Sequence, residues 1–121
     1  MKERLTIALL GAAGLSLSLA APAAAHSELE SAKPAAHSAG RAPTEIRLKF
    51  GEGLVGKLCR IELSSPGGRP VPMGPVVLSP DHKVLSVSVK AVLAPGRYKV
   101  KWRVVSEDTH RAAGAYEFIV K

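Results

Sequence analysis

The stretch Gly96-Arg97-Tyr98-Lys99-Val100-Lys101-Trp102-Arg103-Val104-Val105 alternates between two kinds of side chain. Tyr98, Val100, Trp102 and Val104 fall on one face, and Lys99, Lys101 and Arg103 on the other. A period of two belongs to a β-strand with one face buried and one in water. Ala94-Pro95-Gly96 is the turn that opens it. Working outward, Ala115 to Val120 repeats the pattern, with Tyr116, Phe118 and Val120 inward and Glu117 outward. Leu85, Val87 and Val89 alternate with Ser86 and Ser88. Ile46, Leu48 and Phe50 alternate with Glu45, Arg47 and Lys49. Lys57 to Leu63 predicts a further strand, Arg69 to Met73 a short return strand, and the region near Leu29 a short edge strand. Ser65-Pro66-Gly67-Gly68 and Ser79-Pro80-Asp81-His82 are turns between them. No stretch carries convincing helical periodicity. About seven short strands with regular turn signals predict an all-β fold, an antiparallel Greek-key sandwich or barrel.

The first 25 residues have a different character. Lys2 and Arg4 precede an apolar run from Leu5 to Ala20, and Ala23 and Ala25 satisfy the small-x-small rule of a signal-peptidase site. This reads as a secretory signal peptide over residues 1–25, cleaved after Ala25. The run is short for a membrane span, and no second one follows. The expected mature protein is one domain over residues 26–121, without a membrane span and monomeric, in an exported, periplasmic setting.

The chain has 17 basic and 10 acidic residues. Removing Lys2, Arg4 and Glu3 leaves fifteen and nine, a net of +6. The cations are spread along strand faces with no basic block and no basic aromatic-rich stretch, which argues against nucleic acid. Cys59 is the one cysteine, so no intramolecular disulfide forms. It is in phase with Ile61 and Leu63, as a core thiol would be.

Chemistry concentrates at two places. Cleavage after Ala25 would give His26 a free α-amine beside its imidazole. Together these nitrogens close a six-membered chelate ring, and such a pair suits a tetragonal N/O site that favours Cu(II). The α-amine, with a reference pKa of about 8, gives up its proton to a strong Lewis acid near neutral pH. The second place is Ser106-Glu107-Asp108-Thr109-His110. In extended backbone, Asp108 and His110 share a face, and counting on from Trp102 and Val104 gives them the inward phase at the strand end. A carboxylate and an imidazole there can complete a three-nitrogen, one-oxygen plane with His26. His37 and His82 lie in a small-residue loop and a turn, and are expected to be exposed surface groups. No nucleophile elbow, catalytic carboxylate pair or phosphate loop is visible.

Several segments in order resemble the CopC family of periplasmic copper-binding proteins. They are Ala25-His26, Ser31-Ala32-Lys33-Pro34-Ala35, Leu48-Lys49-Phe50-Gly51-Glu52, Leu93-Ala94-Pro95-Gly96-Arg97-Tyr98, Trp102-Arg103-Val104-Val105-Ser106, Asp108-Thr109-His110, and Gly114 followed by Phe118. The resemblance implies a seven-stranded cupredoxin-like or immunoglobulin-like β-barrel. It implies one Cu(II) per chain, held by the amine and imidazole of His26 with Asp108 and His110. Glu52 matches a family glutamate near the site, which implies a partner to the amine or to a copper-bound water. Two features depart from the family. Met73 is the only methionine after the leader, so a thioether Cu(I) site is not expected, and Thr109 stands where glycine is frequent. The expected role is carriage of copper for resistance and homeostasis, with delivery to a membrane transporter or a cuproenzyme. The rival expectations are an oxidative copper enzyme with a histidine chelate and a metal-free immunoglobulin-like interaction module.

Overall fold

A computed structural model describes residues 29–121; the leader, its cleavage point and His26 lie outside the described residues. Eight extended segments form two four-stranded sheets. They are β1 (Leu29–Lys33), β2 (Ala39–Gly40), β3 (Glu45–Phe50), β4 (Arg60–Ser64), β5 (Val77–Leu78), β6 (Val84–Ser88), β7 (Gly96–Val105) and β8 (Arg111–Val120). The strand orders are β1-β3-β6-β5 and β2-β8-β7-β4. This is the β-sandwich that the alternation predicts. Segments β2 and β5 are two residues long, too short for a period to register in sequence, which accounts for eight segments where about seven were expected. The single turn of 3-10 helix, Gly56–Leu58, occupies the beginning of the strand expected from Lys57, and the strand itself begins at Arg60. The expected return strand at Arg69–Met73 is reduced to the bridges Ser64↔Pro70 and Met73↔Val89. Proline lacks the N–H that a ladder needs, and Pro70 and Pro72 interrupt this stretch. The β2–β8 contact is parallel; every other strand pair is antiparallel.

The core is what the alternating faces dictate. Ile46, Leu48 and Phe50 from β3, Leu85 and Val87 from β6, Ile61 and Leu63 from β4, and the inward faces of β7 and β8 close on one another. Burying a side chain of this size contributes roughly 1.5–3 kcal/mol, and each charged neighbour in the alternation stays in water. Trp102 sits between Phe50, in an edge-to-face contact at 6.3 Å, and Tyr116 at 6.2 Å. Its cross-strand partner is Gly114. A β-carbon at Gly114 would lie 2.3 Å from Trp102 Cζ2, so the indole occupies the space that any side chain there would need. Cys59 is buried, its Sγ 3.3 Å from the Val55 carbonyl, and burial pushes its thiol above the ordinary range. Met73 packs against the core edge. Among the described residues no helix is long and apolar enough to cross a membrane.

Candidate metal centre

The β7–β8 hairpin is closed by a short turn, and that turn carries Asp108 and His110. Val105 pairs with Arg111 as the last rung of the ladder. Beyond it, Ser106 N–H donates to the His110 carbonyl at 2.9 Å and Thr109 N–H to the Ser106 carbonyl at 2.8 Å. Thr109 takes φ 71°, the left-handed conformation that typically completes a three-residue hairpin loop. A β-branched residue is strained there, which is the cost of having threonine at this position.

Asp108 and His110 therefore meet for a different reason from the one expected. The strand ends before them, so they do not continue the inward phase. Both are exposed, with side chains 58% and 75% accessible. The turn folds them together, placing His110 Nδ1 3.3 Å from Asp108 Oδ2. The inward phase instead ends on Ser106, which is 4% exposed and the one buried polar residue among the described residues. Its hydroxyl donates to Asp108 Oδ1 and accepts from His110 N–H at 3.2 Å. This hydroxyl, more than any other group, holds the Asp108 carboxyl below the usual carboxylate range. Asp108 is thus an anion at neutral pH with one oxygen pinned and the other turned to His110. Ser106 was legible as the next inward position after Trp102 and Val104, but its anchoring role was not.

The third member comes from the other sheet. The chain leaves β3 at Phe50 and runs along the hairpin turn. Glu107 N–H donates to the Gly53 carbonyl at 2.9 Å, Leu54 bridges to Ser106, and Val55 N–H donates to the Val105 carbonyl at 2.9 Å. These bonds set Glu52 beside the turn. One donor atom from each of Glu52, Asp108 and His110 lies within 4.8 Å of the other two. Three donors spread evenly around one ion at roughly 2.0–2.2 Å are about 3.6 Å apart, so these exposed side chains would close in by about 1 Å to share one ion. Two carboxylate oxygens and an imidazole nitrogen, with no thiolate or thioether, form a hard to intermediate N/O set.

His82 and Glu107 were not singled out together by the sequence. His82 is exposed, as expected, but its Nδ1 lies 2.7 Å from Glu107 Oε2. Its carbonyl accepts from Leu54 N–H at 2.8 Å, so the 79–83 turn braces the far side of the 51–55 segment. His37 is also exposed, with its N–H donated to the Glu117 carbonyl, remote in the fold from the turn.

The sequence pattern of the CopC domain matches residues 29–121. Copper resistance protein C of Pseudomonas syringae pv. tomato is 39% identical over 125 residues, spanning 98% of both chains. Copper resistance protein C of Escherichia coli is 38% identical over 115 residues, spanning 89% of this chain and 91% of its own. Among solved structures, CopC from Methylosinus trichosporium OB3b superposes with a TM-score of 0.73 at 32% identity, covering 79% of this chain and 94% of that one. Selenomethionine PcoC, a copper resistance protein from Escherichia coli, superposes with a TM-score of 0.72 at 37% identity, covering 78% of this chain and 99% of that one.

Proposed function

The chain belongs to the CopC domain family, and from that premise we propose that it is a copper-resistance protein that binds one Cu(II) at the Glu52–Asp108–His110 cluster. The observation that carries this reading is the clustering of those three side chains at the end of the sandwich where β1 begins. Leu29 pairs with Phe50, and β1 and β3 are antiparallel. The direction in which the chain enters β1 is therefore the direction in which β3 leads to Glu52. His26 stands three positions before Leu29, a reach of roughly 10 Å when extended. In this reading that reach brings a processed N-terminus at His26 to the cluster.

In this reading His26 supplies its amine and imidazole nitrogens, Asp108 one oxygen and His110 one nitrogen. Glu52 accepts a hydrogen bond from the amine or from a copper-bound water. Planar N/O donors favour Cu(II) over softer Cu(I), and Cu(II) stands at the head of the divalent affinity order. The described residues bring no sulfur to the cluster, since Cys59 is buried and Met73 packs at the core edge. The protein then acts as a carrier outside the cytoplasm, lowering free copper or passing it to a membrane transporter or a cuproenzyme. The aromatic side chains Phe50, Tyr98, Trp102, Tyr116 and Phe118 are all buried. None is offered for stacking on a sugar, which tells against a polysaccharide-oxidising role.

The test is Cu(II) titration of the secreted protein, with spin resonance reading the ligand set and mass spectrometry the N-terminus. A three-nitrogen, one-oxygen signal that loses a nitrogen in His110→Ala is expected. Glu52→Gln should weaken binding by roughly 10–100-fold, the range usual for partners of metal ligands. A mature terminus other than His26, or an unchanged signal in both Asp108→Ala and His110→Ala, would overturn the assignment.

A further inference from the structure

The two outer faces of the sandwich are charged in different ways. On the β1–β3 side, Lys33, Arg47 and Lys49 stand against Glu30 and Glu45, and two of these three cations are paired: Arg47 with Glu45 at 3.8 Å and Lys49 with Glu30 at 4.0 Å. The outward positions of β4, β7 and β8 carry Arg60, Arg97, Lys99, Lys101, Arg103 and Arg111 against Glu62 and Glu117. Only Arg97 is in an ion pair among the described residues, with Glu117 at 3.3 Å. Arg60 and Arg103 are direct cross-strand partners, and like charges opposite one another weaken a strand pair. Lys33 and Arg47 stand opposite one another in the same way on the other sheet, so what sets the β4–β7–β8 face apart is its six cations against two carboxylates.

The same face is hollow. The outward side chains of β8 shrink to Ala113 and Ala115 between Arg111 and Glu117, while neighbouring β7 and, beyond it, β4 raise long side chains. Arg60, Glu62, Lys101 and Arg103 wall a depression of about 360 Å³ floored by Ala113, Gly114 and Ala115. A second depression of about 500 Å³ shares Arg103 and Ala113 with the first and continues past Leu58 to Arg111. The trough thus runs along β8 and ends one residue short of His110.

We propose that this trough docks an extended acidic segment of a partner protein. From Ala115 to Arg111 it accommodates four or five residues of a strand, about 14 Å at roughly 3.4 Å per residue. Arg60, Lys101 and Arg103, none of them in an ion pair among the described residues, outnumber Glu62 along its walls and match alternating carboxylates, and exposed Leu58 at its end takes an apolar neighbour. A flat anionic lipid surface fits less well. The floor is recessed, and the described residues expose no tryptophan or tyrosine to anchor at a membrane interface. Single-stranded nucleic acid lacks its stacking platform for the same reason. Because the trough leads to the Asp108–His110 turn, a docked partner would face the metal centre; that consequence rests on the copper reading, whereas docking itself does not.

The test is a heteronuclear NMR titration of the processed protein, without added copper, using a synthetic decapeptide of alternating glutamate and alanine. Shifts confined to the amides of β4, β7 and β8, above all Arg103, Ala113 and Ala115, are expected. The double variant Arg60→Glu/Arg103→Glu should bind the peptide at least roughly tenfold more weakly, with the difference shrinking at high salt. Arg47→Glu/Lys49→Glu on the opposite sheet should leave peptide binding unchanged. Cu(II) titration of the Arg60→Glu/Arg103→Glu protein should match the parent, which separates this surface from the metal site. Shifts spread equally over both sheets, or equal weakening in the two double variants, would overturn the proposal. So would binding to vesicles of one part phosphatidylglycerol to three parts phosphatidylethanolamine with none to the peptide.

Discussion

Leu29 is the register partner of Phe50, and Phe50 stands two positions before Glu52. The first described strand therefore starts at the end of the sandwich that carries the acidic cluster. If His26 chelates through its backbone nitrogen, one residue added ahead of it removes that nitrogen from the ring while leaving the fold untouched. A processed protein carrying an extra serine before His26 should lose Cu(II) affinity by more than roughly 100-fold, beyond the usual cost of losing an outer partner. Competitive titration against a chelator measures this, and unchanged affinity would exclude the amine as a ligand.

Thr109 holds a left-handed backbone angle of 71°. Glycine adopts that conformation without a β-carbon clash, at the cost of extra freedom in the unfolded chain. Thr109→Gly should therefore stabilise the protein by about 0.5–1 kcal/mol. A higher urea midpoint with an unchanged slope is the expected result, and a lower midpoint would mean that the Thr109 hydroxyl matters more than the strain.

Ser106 depresses the Asp108 carboxyl. A carboxyl lowered in the folded state contributes stability above its unfolded titration range, and that contribution is lost as pH falls through the depressed value. Ser106→Ala should move the Asp108 titration upward towards the ordinary range, so that its loss begins at higher pH. The hydroxyl is buried and bonded to the turn, and removing it should also cost about 1–2 kcal/mol. Carboxyl-carbon NMR of the copper-free protein follows the titration directly. An unmoved Asp108 would show that the hydrogen bond contributes little in solution.

Gly114 lies under the Trp102 indole, with Cζ2 and Cη2 2.3 and 2.6 Å from where a β-carbon would stand. The ring is buried between Phe50 and Tyr116 and has nowhere to go. Gly114→Ala should destabilise by about 1–3 kcal/mol through overpacking. Gly53→Ala is the contrasting case: its β-carbon would meet only the Glu107 carboxylate end, which can swing away. It should cost less than the Gly114 change and break the His82–Glu107 pair. Thermal melts of the two variants compare them, and equal losses would contradict this account.

The sandwich was legible because its evidence is local and repeated. The faces Ile46-Leu48-Phe50, Tyr98-Val100-Trp102-Val104 and Tyr116-Phe118-Val120 each state their own inside and outside, and the structure buries all of them. Where the signal was short or interrupted, sequence reading faltered. Lys57 to Leu58 became a 3-10 turn, Arg69 to Met73 kept only isolated bridges, and two-residue β2 and β5 left no period to read.

By itself the sequence determined which side chains can bind a metal and that one strand ends in Asp108-Thr109-His110, because donor chemistry and alternation are written residue by residue. Tertiary structure decided how they meet. Asp108 and His110 come together through a turn held by Ser106, and Glu52 joins them because hydrogen bonds from Gly53 to Val55 lay that segment along the hairpin. Contacts between residues more than fifty positions apart depend on how strands stack and register, and a period of two carries no information about which strand comes to lie beside which.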